Sequence, residues 1–141
     1  MKGFTLLEIM VVVVIIAILT AIAYPSYINY KIRVNRAEVK AEMLRISSVL
    51  QQYKIVKYSY ADANLEKLNI GQVFPNSNEG LYSLHLNISS DQMSYELVAK
   101  PLPNTIQTNN GVVCLNDEGH KYWSLAAVEC ALSASSNWDG R

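Results

Sequence analysis

The chain begins with MKGFTLLEIMVVVVIIAILTAIAY (Met1–Tyr24), and this stretch decides the fold. Of the 21 residues from Phe4 to Tyr24, 18 are apolar. At about 1.5 Å per residue, a helix of this length spans roughly 31 Å, close to the hydrocarbon thickness of a bilayer. The β-branched run Val11–Ile16 would also suit a strand, but a lone segment in lipid must satisfy its backbone hydrogen bonds internally. We therefore predict a membrane-spanning α-helix.

One ionisable residue, Glu8, lies inside this apolar run. A carboxylate in a bilayer costs a few kcal/mol, so an acid at this depth indicates a function and requires a positive partner. A removable secretory signal is an alternative, with Lys2 as its positive region and Ala21-Ile22-Ala23 as its cleavage site. A disposable segment, however, has no reason to carry Glu8.

The motif Lys2-Gly3-Phe4-Thr5-Leu6-Leu7-Glu8, followed by an unbroken apolar helix, resembles the class III signal of type IV prepilins. The resemblance implies that a prepilin peptidase cleaves between Gly3 and Phe4 and that Phe4 becomes N-methylated. It also implies that Glu8 pairs with the Phe4 amine of a neighbouring subunit in a filament core. Low dielectric would make that pair strong and an unpaired Glu8 costly.

Two observations bear on where the carboxyl-terminal part of the chain lies. The basic residues Lys31, Arg33, Arg36 and Lys40 follow the apolar run, so the positive-inside rule alone would place this part in the cytoplasm. The pilin resemblance implies the opposite: an inner-membrane protein with a periplasmic head before assembly, and an extracellular pilus afterwards.

The cysteines favour the second orientation. Cys114 and Cys130 have no other Cys or His at metal-ligand spacing, which makes a disulfide the economical interpretation and free buried thiols the alternative. A disulfide implies an oxidising compartment. The resemblance points the same way, because pilins commonly close a carboxyl-terminal loop with a disulfide.

Beyond Pro25, the spacing of apolar residues predicts an amphipathic helix to about residue 57. Pro25 predicts a kink if both helices fuse into one spine; two separate helices meeting at Tyr24-Pro25 are the alternative. The predicted apolar stripe, with steps of three or four residues, is Ile28, Ile32, Asn35, Val39, Met43, Ile46, Leu50 and Tyr53.

The remaining 84 residues predict a small head. Residues 58–80 are rich in turn formers and predict a loop, whereas four later runs predict strands: 82–89, 95–100, 112–115 and 120–124. We expect an α+β fold in which a long N-terminal spine packs on a four-stranded antiparallel sheet, with Trp138 as an apolar peg in the tail. The predicted divisions are a leader (1–3), a membrane and filament-core segment (4–24), an amphipathic segment (25–57) and the head (58–141).

The chain carries no motif for catalysis, phosphate binding or metal binding, so we predict neither an enzyme nor a cofactor. The resemblance is closest to minor type IV pilins of Gram-negative bacteria. It implies a structural subunit with a role in adhesion, twitching motility or DNA uptake. Its partners would be other pilin subunits, the peptidase, the membrane before assembly and the inner-membrane assembly machinery.

Two other functions share this layout. A DNA receptor for natural transformation needs a basic patch, and the net acidic head offers only Lys67, Lys100 and Lys121 besides Arg141, so DNA binding is possible but not favoured. A type II secretion pseudopilin shares the leader chemistry, and no residue distinguishes it.

Overall fold

A computed structural model describes residues 3–77 and 79–140. The chain divides into two compact units, Met1–Val34 and Asn35–Arg141. One helix, α1 (Leu6–Lys57), contributes to both. It runs through Pro25 without interruption, which confirms a single fused spine, whereas the kink stays a prediction.

Local hydrogen bonds and backbone geometry determine where α1 begins and where it ends. Thr5 precedes the helix and accepts a hydrogen bond at Oγ1 from the Glu8 N–H (3.3 Å), which is the N-cap arrangement that satisfies a free amide. At the other end, Tyr58 adopts a left-handed φ of 60°. Its N–H donates to the carbonyl of Lys54 (2.7 Å), which completes the last turn and ends the helix.

The second unit contains one antiparallel sheet of five strands in the order β1-β2-β3-β4-β5, not the four predicted. The missed strand is β1 (Val73–Phe74), which is too short to show an alternating pattern and is followed directly by Pro75. The four predicted strands are β2 (Tyr82–Ile88), β3 (Tyr95–Pro101), β4 (Val113–Asn116) and β5 (Lys121–Trp123).

One face of the sheet packs on the amphipathic part of α1. The helix contributes Val39, Met43, Ile46 and Leu50, all with no exposed surface, as the predicted stripe requires. The sheet contributes alternate residues of β2, β3 and β4 to the same core: Tyr82, Leu84, Tyr95, Leu97, Val113 and Leu115.

The opposite face of the sheet is partly covered by the carboxyl-terminal loop. Val98 and Cys114 form a second small cluster there with Val112, and Leu132 of the loop packs against it. Trp138 packs instead against the main core, and its indole N–H donates to the Cys114 carbonyl (3.0 Å). The predicted peg is therefore present.

Candidate functional site

The amino-terminal end combines an exposed backbone with a capped helix. A Cβ placed on Gly3 would have no neighbour within 4 Å, and Phe4 is 80% exposed. The bond between Gly3 and Phe4 is therefore open to a protease. The helix cap lies one residue further along the chain, at Thr5, so cleavage after Gly3 would leave the first turn of α1 intact.

The apolar surface from Phe4 to Ile22 is bare. None of its large side chains is buried by the chain itself, and their exposed fractions run from 47% at Val12 to 80% at Phe4. Among the described residues, α1 is the one helix long and apolar enough to cross a membrane.

Glu8 lies in the first turn of α1, within this bare surface. Residues 3–77 and 79–140 place no basic group at ion-pair distance from its carboxylate. The positive end of the helix macrodipole favours a negative charge at this position. The carboxylate is thus held at a helix start, next to exposed apolar side chains, and is open to a cation from outside these residues.

The head contains a cluster of two cations and two indoles that the sequence analysis missed. The guanidinium of Arg36 stacks 3.8 Å from the centroid of the Trp123 ring, and its Nη1 donates to Oδ1 of Asn110 (2.6 Å). Lys40 lies over Trp123 and Trp138, at 5.2 Å and 5.7 Å, and its Nζ donates to the Trp138 carbonyl (2.7 Å). We call Arg36, Lys40, Trp123 and Trp138 the tail clamp.

The environment of the tail clamp perturbs Lys40. The pKa of Lys40 is lowered to about 8, chiefly by burial and secondarily by the nearby Arg36 charge, while Asp139 partly opposes both effects. The spacing of Arg36 and Lys40, four residues apart on a helix, shows that they share one face. No sequence signal paired them with Trp123 and Trp138, which lie far along the chain.

Beside the tail clamp, buried polar groups satisfy one another. Gln107 accepts at Oε1 from the Tyr82 hydroxyl (2.9 Å) and from Nδ2 of Asn110 (2.6 Å). The Tyr95 hydroxyl donates to Oγ of Ser47 on α1 (2.8 Å). Burial raises the pKa of both tyrosines above the usual value of a phenol, because the charged form is disfavoured away from water.

Cys114 and Cys130 form the predicted disulfide, which closes a loop with a sequence separation of 16 residues. Cys114 belongs to β4 and is fully buried, so the bond anchors the outer loop to an inner strand of the sheet.

The three candidate DNA-contacting lysines are distributed over different parts of the head. Lys67 lies in the loop before β1, where its N–H donates to Oδ1 of Asn64 (2.7 Å). Lys100 follows Val98 by two residues on β3 and therefore faces the side of the disulfide loop. Lys121 lies 5.2 Å from the Trp138 ring, on the α1 side of the sheet. Lys100 and Lys121 thus face opposite ways.

Within residues 3–77 and 79–140, no group of three or more His, Cys, Asp or Glu residues lies close enough to hold a metal ion. His85 contacts Ser83 and His120 contacts Asn116 and Glu118, and all these contacts are local.

One sequence signal at the amino-terminal end was also missed. Thr5-Leu6-Leu7-Glu8 has the S/T-x-x-E spacing of a capping box, which places a carboxylate three residues after the N-cap. The motif that resembles a processing signal therefore also starts the helix.

Two family models match the chain. The model described as "Prokaryotic N-terminal methylation motif" matches residues 1–24. The model described as "Type IV minor pilin ComP, DNA uptake sequence receptor" matches residues 25–117, which is more than half of the chain.

Individual relatives agree with these models. The chain is 27% identical over 129 residues to the type IV major pilin protein PilA of Myxococcus xanthus, covering 91% of this chain and 54% of the relative. It is 31% identical over 83 residues to the type II secretion system core protein G of Escherichia coli, covering 59% and 48%. It is 37% identical over 93 residues to the type IV narrow pilus major component PilA5 of Thermus thermophilus, covering 64% and 72%. The chain thus spans about half the length of the first two relatives.

A solved structure supports the fold. The non-core minor pilin PilV of Neisseria meningitidis superposes with a TM-score of 0.55 at 24% identity, covering 72% of this chain and 94% of that one. The single helix, the antiparallel sheet, the disulfide and the two matched models agree. The chain belongs to the type IV minor pilin ComP family.

Proposed function

We propose that the mature chain begins at Phe4, is held in the inner membrane by residues 4–24, and then joins a type IV filament as a minor subunit through the same helix. Its earlier partners are the prepilin peptidase and the inner-membrane assembly machinery; its later partners are other pilin subunits. The observation that carries the proposal is the bare apolar surface that surrounds Glu8.

The bare surface requires a partner on energetic grounds. Removing one large apolar side chain from water is worth about 1.5–3 kcal/mol. The large side chains from Phe4 to Ile22 are about half exposed or more, so the segment needs lipid before assembly and neighbouring helices afterwards.

Glu8 supplies the specificity. In an apolar filament core, burying its carboxylate without a partner would be unfavourable, because the free-energy cost of desolvating the charge would not be offset by an ion pair. The amine of Phe4 on a neighbouring subunit is the proposed partner. Hydrolysis of the Gly3–Phe4 bond leaves a carboxylate on Gly3 and this amine on Phe4, and N-methylation preserves its positive charge.

The head is proposed to lie outside the cytoplasm. The Cys114–Cys130 disulfide favours this orientation, because disulfides persist in oxidising compartments such as the periplasm and the cell surface. After assembly, the head would lie on the pilus.

The test is to replace Glu8 and follow processing, insertion and assembly separately. We expect Glu8→Val to enter the membrane and to be cleaved, because its apolar segment is intact, but to be absent from sheared filaments. Intact-mass measurement checks that the leader is removed and that one methyl group is added. Glu38→Gln is the control, because it removes a carboxylate from an exposed position of the same helix. Normal incorporation of Glu8→Val would refute the pairing, and a mature amino terminus other than Phe4 would refute the processing.

A second candidate function, DNA reception, is favoured by the family match over residues 25–117. The head has few basic residues, and Lys67, Lys100 and Lys121 are candidate phosphate contacts. Because Lys100 and Lys121 face opposite sides of the sheet, one duplex lying on a single face would use only one of them.

A gel-shift titration of the full chain in detergent, at two salt concentrations, tests this function. DNA reception predicts micromolar binding that weakens as salt rises, because phosphate contacts release counterions. Comparing Lys100→Gln with Lys121→Gln identifies which face of the sheet binds DNA. Only replacement of the lysine that contacts a phosphate should reduce the salt dependence of binding. Absence of binding at low salt would eliminate the candidate function.

A further inference from the structure

Strand β2 has an edge that the described chain leaves open. On one side it pairs along its whole length with β3. On the other side, β1 pairs only with Tyr82 and Ser83, and the Leu84 N–H donates to the Gln72 carbonyl (2.8 Å). Within residues 3–77 and 79–140, no backbone hydrogen bond reaches this edge beyond Leu84.

Alternation along β2 identifies the open groups. The Ser89 N–H donates to the Ser94 carbonyl (3.0 Å) in continuation of the β2–β3 ladder, so the odd-numbered residues bond towards β3. Leu86 and Ile88 therefore direct their N–H and C=O groups outward. These are the groups with which another strand could pair.

The chain's own loop does not fill the space beside this edge. A cleft of about 300 Å³ lies there, with Asn64, Leu65, Glu66 and Gln72 along its loop side and residues 84–87 of β2 along the other. The edge is therefore reachable by an extended segment.

The sequence of β2 lacks the devices that usually protect an exposed edge. Tyr82–Ile88 reads YSLHLNI, with no charged residue, no proline and no glycine. Edge strands of soluble proteins normally carry charges, proline or a bulge that prevent pairing with another chain. Short uncharged β-prone segments without proline are those that do pair.

We propose that the β2 edge binds the β2 edge of a second copy of this chain, as an antiparallel pair centred on Asn87. In this register Leu86 of each copy lies opposite Ile88 of the other copy. Each of these two pairs exchanges two backbone hydrogen bonds, which gives four in total. The two Asn87 side chains meet on the outer face, and the Leu86 and Ile88 side chains meet on the core-facing side. The pairing ends before Leu84, whose N–H is already used by Gln72.

Self-complementarity selects a second copy as the occupant. Within residues 86–88 each cross-strand pair is apolar with apolar or amide with amide, the flanking pair of His85 with Ser89 is polar, and no like charges oppose each other. Among the residues that the structure describes, the Asn87 amide makes only a long hydrogen bond to Glu96 Oε1 (3.5 Å), so it is available for a closer partner. The proposal goes beyond the assembly function, because it concerns the head and not the apolar helix.

A contact of three residues per copy is weak for an isolated pair of chains. Repeated along two structures that each carry several copies, it becomes strong through effective concentration. The contact would therefore link heads on neighbouring filaments or clusters of subunits.

Cysteine trapping in the full chain, in detergent micelles, tests the geometry. Asn87 would be a non-hydrogen-bonded pair across the dyad, with Cα atoms about 4.5 Å apart, which suits a disulfide. We expect Asn87→Cys to form covalent dimers under mild oxidation several-fold faster than two controls. Ser83→Cys lies on the same face of β2, where β1 covers the edge, and Lys100→Cys lies on β3, inside the sheet.

Association through the apolar helices does not involve the β2 edge, so it gives no reason for Asn87→Cys to cross-link faster than the two controls. Equal rates in the three variants would overturn the proposal.

A charge variant tests the same contact without oxidation. Asn87→Glu would place two carboxylates opposite each other. We expect a several-fold loss of the dimer that sedimentation detects at high protein concentration, where a weak contact is populated. Ser135→Glu adds the same charge at an exposed tail position and should leave the dimer fraction unchanged. Unaltered association of Asn87→Glu, with an unaltered thermal unfolding curve, would exclude the β2 edge.

Discussion

The two ends of α1 have the same secondary structure and opposite environments. Near its start, Val12 and Leu19 are 47% and 62% exposed, whereas Met43 and Leu50 have no exposed surface at all. Apart from Glu8 and two threonines, the first end is apolar on every side; the second is apolar on one stripe and mostly polar or charged elsewhere. An apolar surface that the chain leaves bare is a surface for lipid or other subunits, and an apolar stripe is a surface for the chain's own sheet.

The sharpest test of this contrast replaces leucine by alanine at each end. Leu50→Ala should lower the free energy of unfolding of the head by about 3–5 kcal/mol, because it leaves a cavity in the core. Leu19→Ala, the matched change on the bare surface, should leave head unfolding unaltered. Denaturant unfolding followed by tryptophan fluorescence measures both. A similar loss in the two variants would mean that the bare end also stabilises the head.

The next effect concerns the covalent loop, which only the head possesses. Replacing both Cys114 and Cys130 by serine should cost about 3 kcal/mol, as expected for a closed loop of roughly 15 residues. Membrane insertion should be unchanged, because the apolar segment is untouched. Chemical denaturation with and without a reductant is the measurement, and a wild-type chain indifferent to reductant would contradict the estimate.

A smaller effect comes from the buried hydroxyl pair. Tyr95→Phe removes the donor to Ser47 and should cost about 1 kcal/mol. Tyr24→Phe, at a 66% exposed position of the bare end, is the control and should cost nothing measurable in head unfolding. Equal thermal midpoints for Tyr95→Phe and the wild type would show that water replaces the lost bond.

The smallest effect is a pH dependence from Lys40. Its pKa is lowered from 10.5 to about 8 in the folded head, so the unfolded chain binds more protons between these values and stability should rise with pH across that window. Because the side chain remains partly exposed, we expect a gain on the order of 1 kcal/mol or less. Lys40→Met should flatten the profile between pH 8 and 10. A wild-type profile that falls between pH 8 and 9, below the titration of the buried tyrosines, would contradict the sign.

Periodicity was sufficient to predict the helix and its buried stripe, because residues three and four apart must share a face. Val39, Met43, Ile46 and Leu50 are buried as predicted, whereas the other residues of the predicted stripe are only partly buried: Ile28, Ile32, Asn35 and Tyr53. Alternation likewise predicted β2 to β5 to within one or two residues. Strand β1 was not predicted, because a strand of two residues is too short to show an alternating pattern. Its pairing depends on β2 rather than on its own sequence.

The missed parts of the candidate site depend on contacts between distant residues. Arg36 and Lys40 were counted only as charges of a basic helix, yet they stack on Trp123 and Trp138. The open edge of β2 could not be predicted from the sequence either, because it depends on how far the neighbouring strand β1 extends along β2. In contrast, Glu8 stood out in the sequence alone, since one acid in an apolar run is a local anomaly.

The tail clamp has a mechanical consequence. Arg36 is the second residue of the head unit, so a load carried along α1 from a filament reaches the clamp before it reaches the hydrophobic core. Arg36 and Lys40 would transfer that load sideways, to β5 through Trp123 and to the carboxyl-terminal loop through Trp138. Stretching would therefore shear a stacked array of rings and cations across several segments at once, instead of peeling the helix from the sheet one side chain at a time.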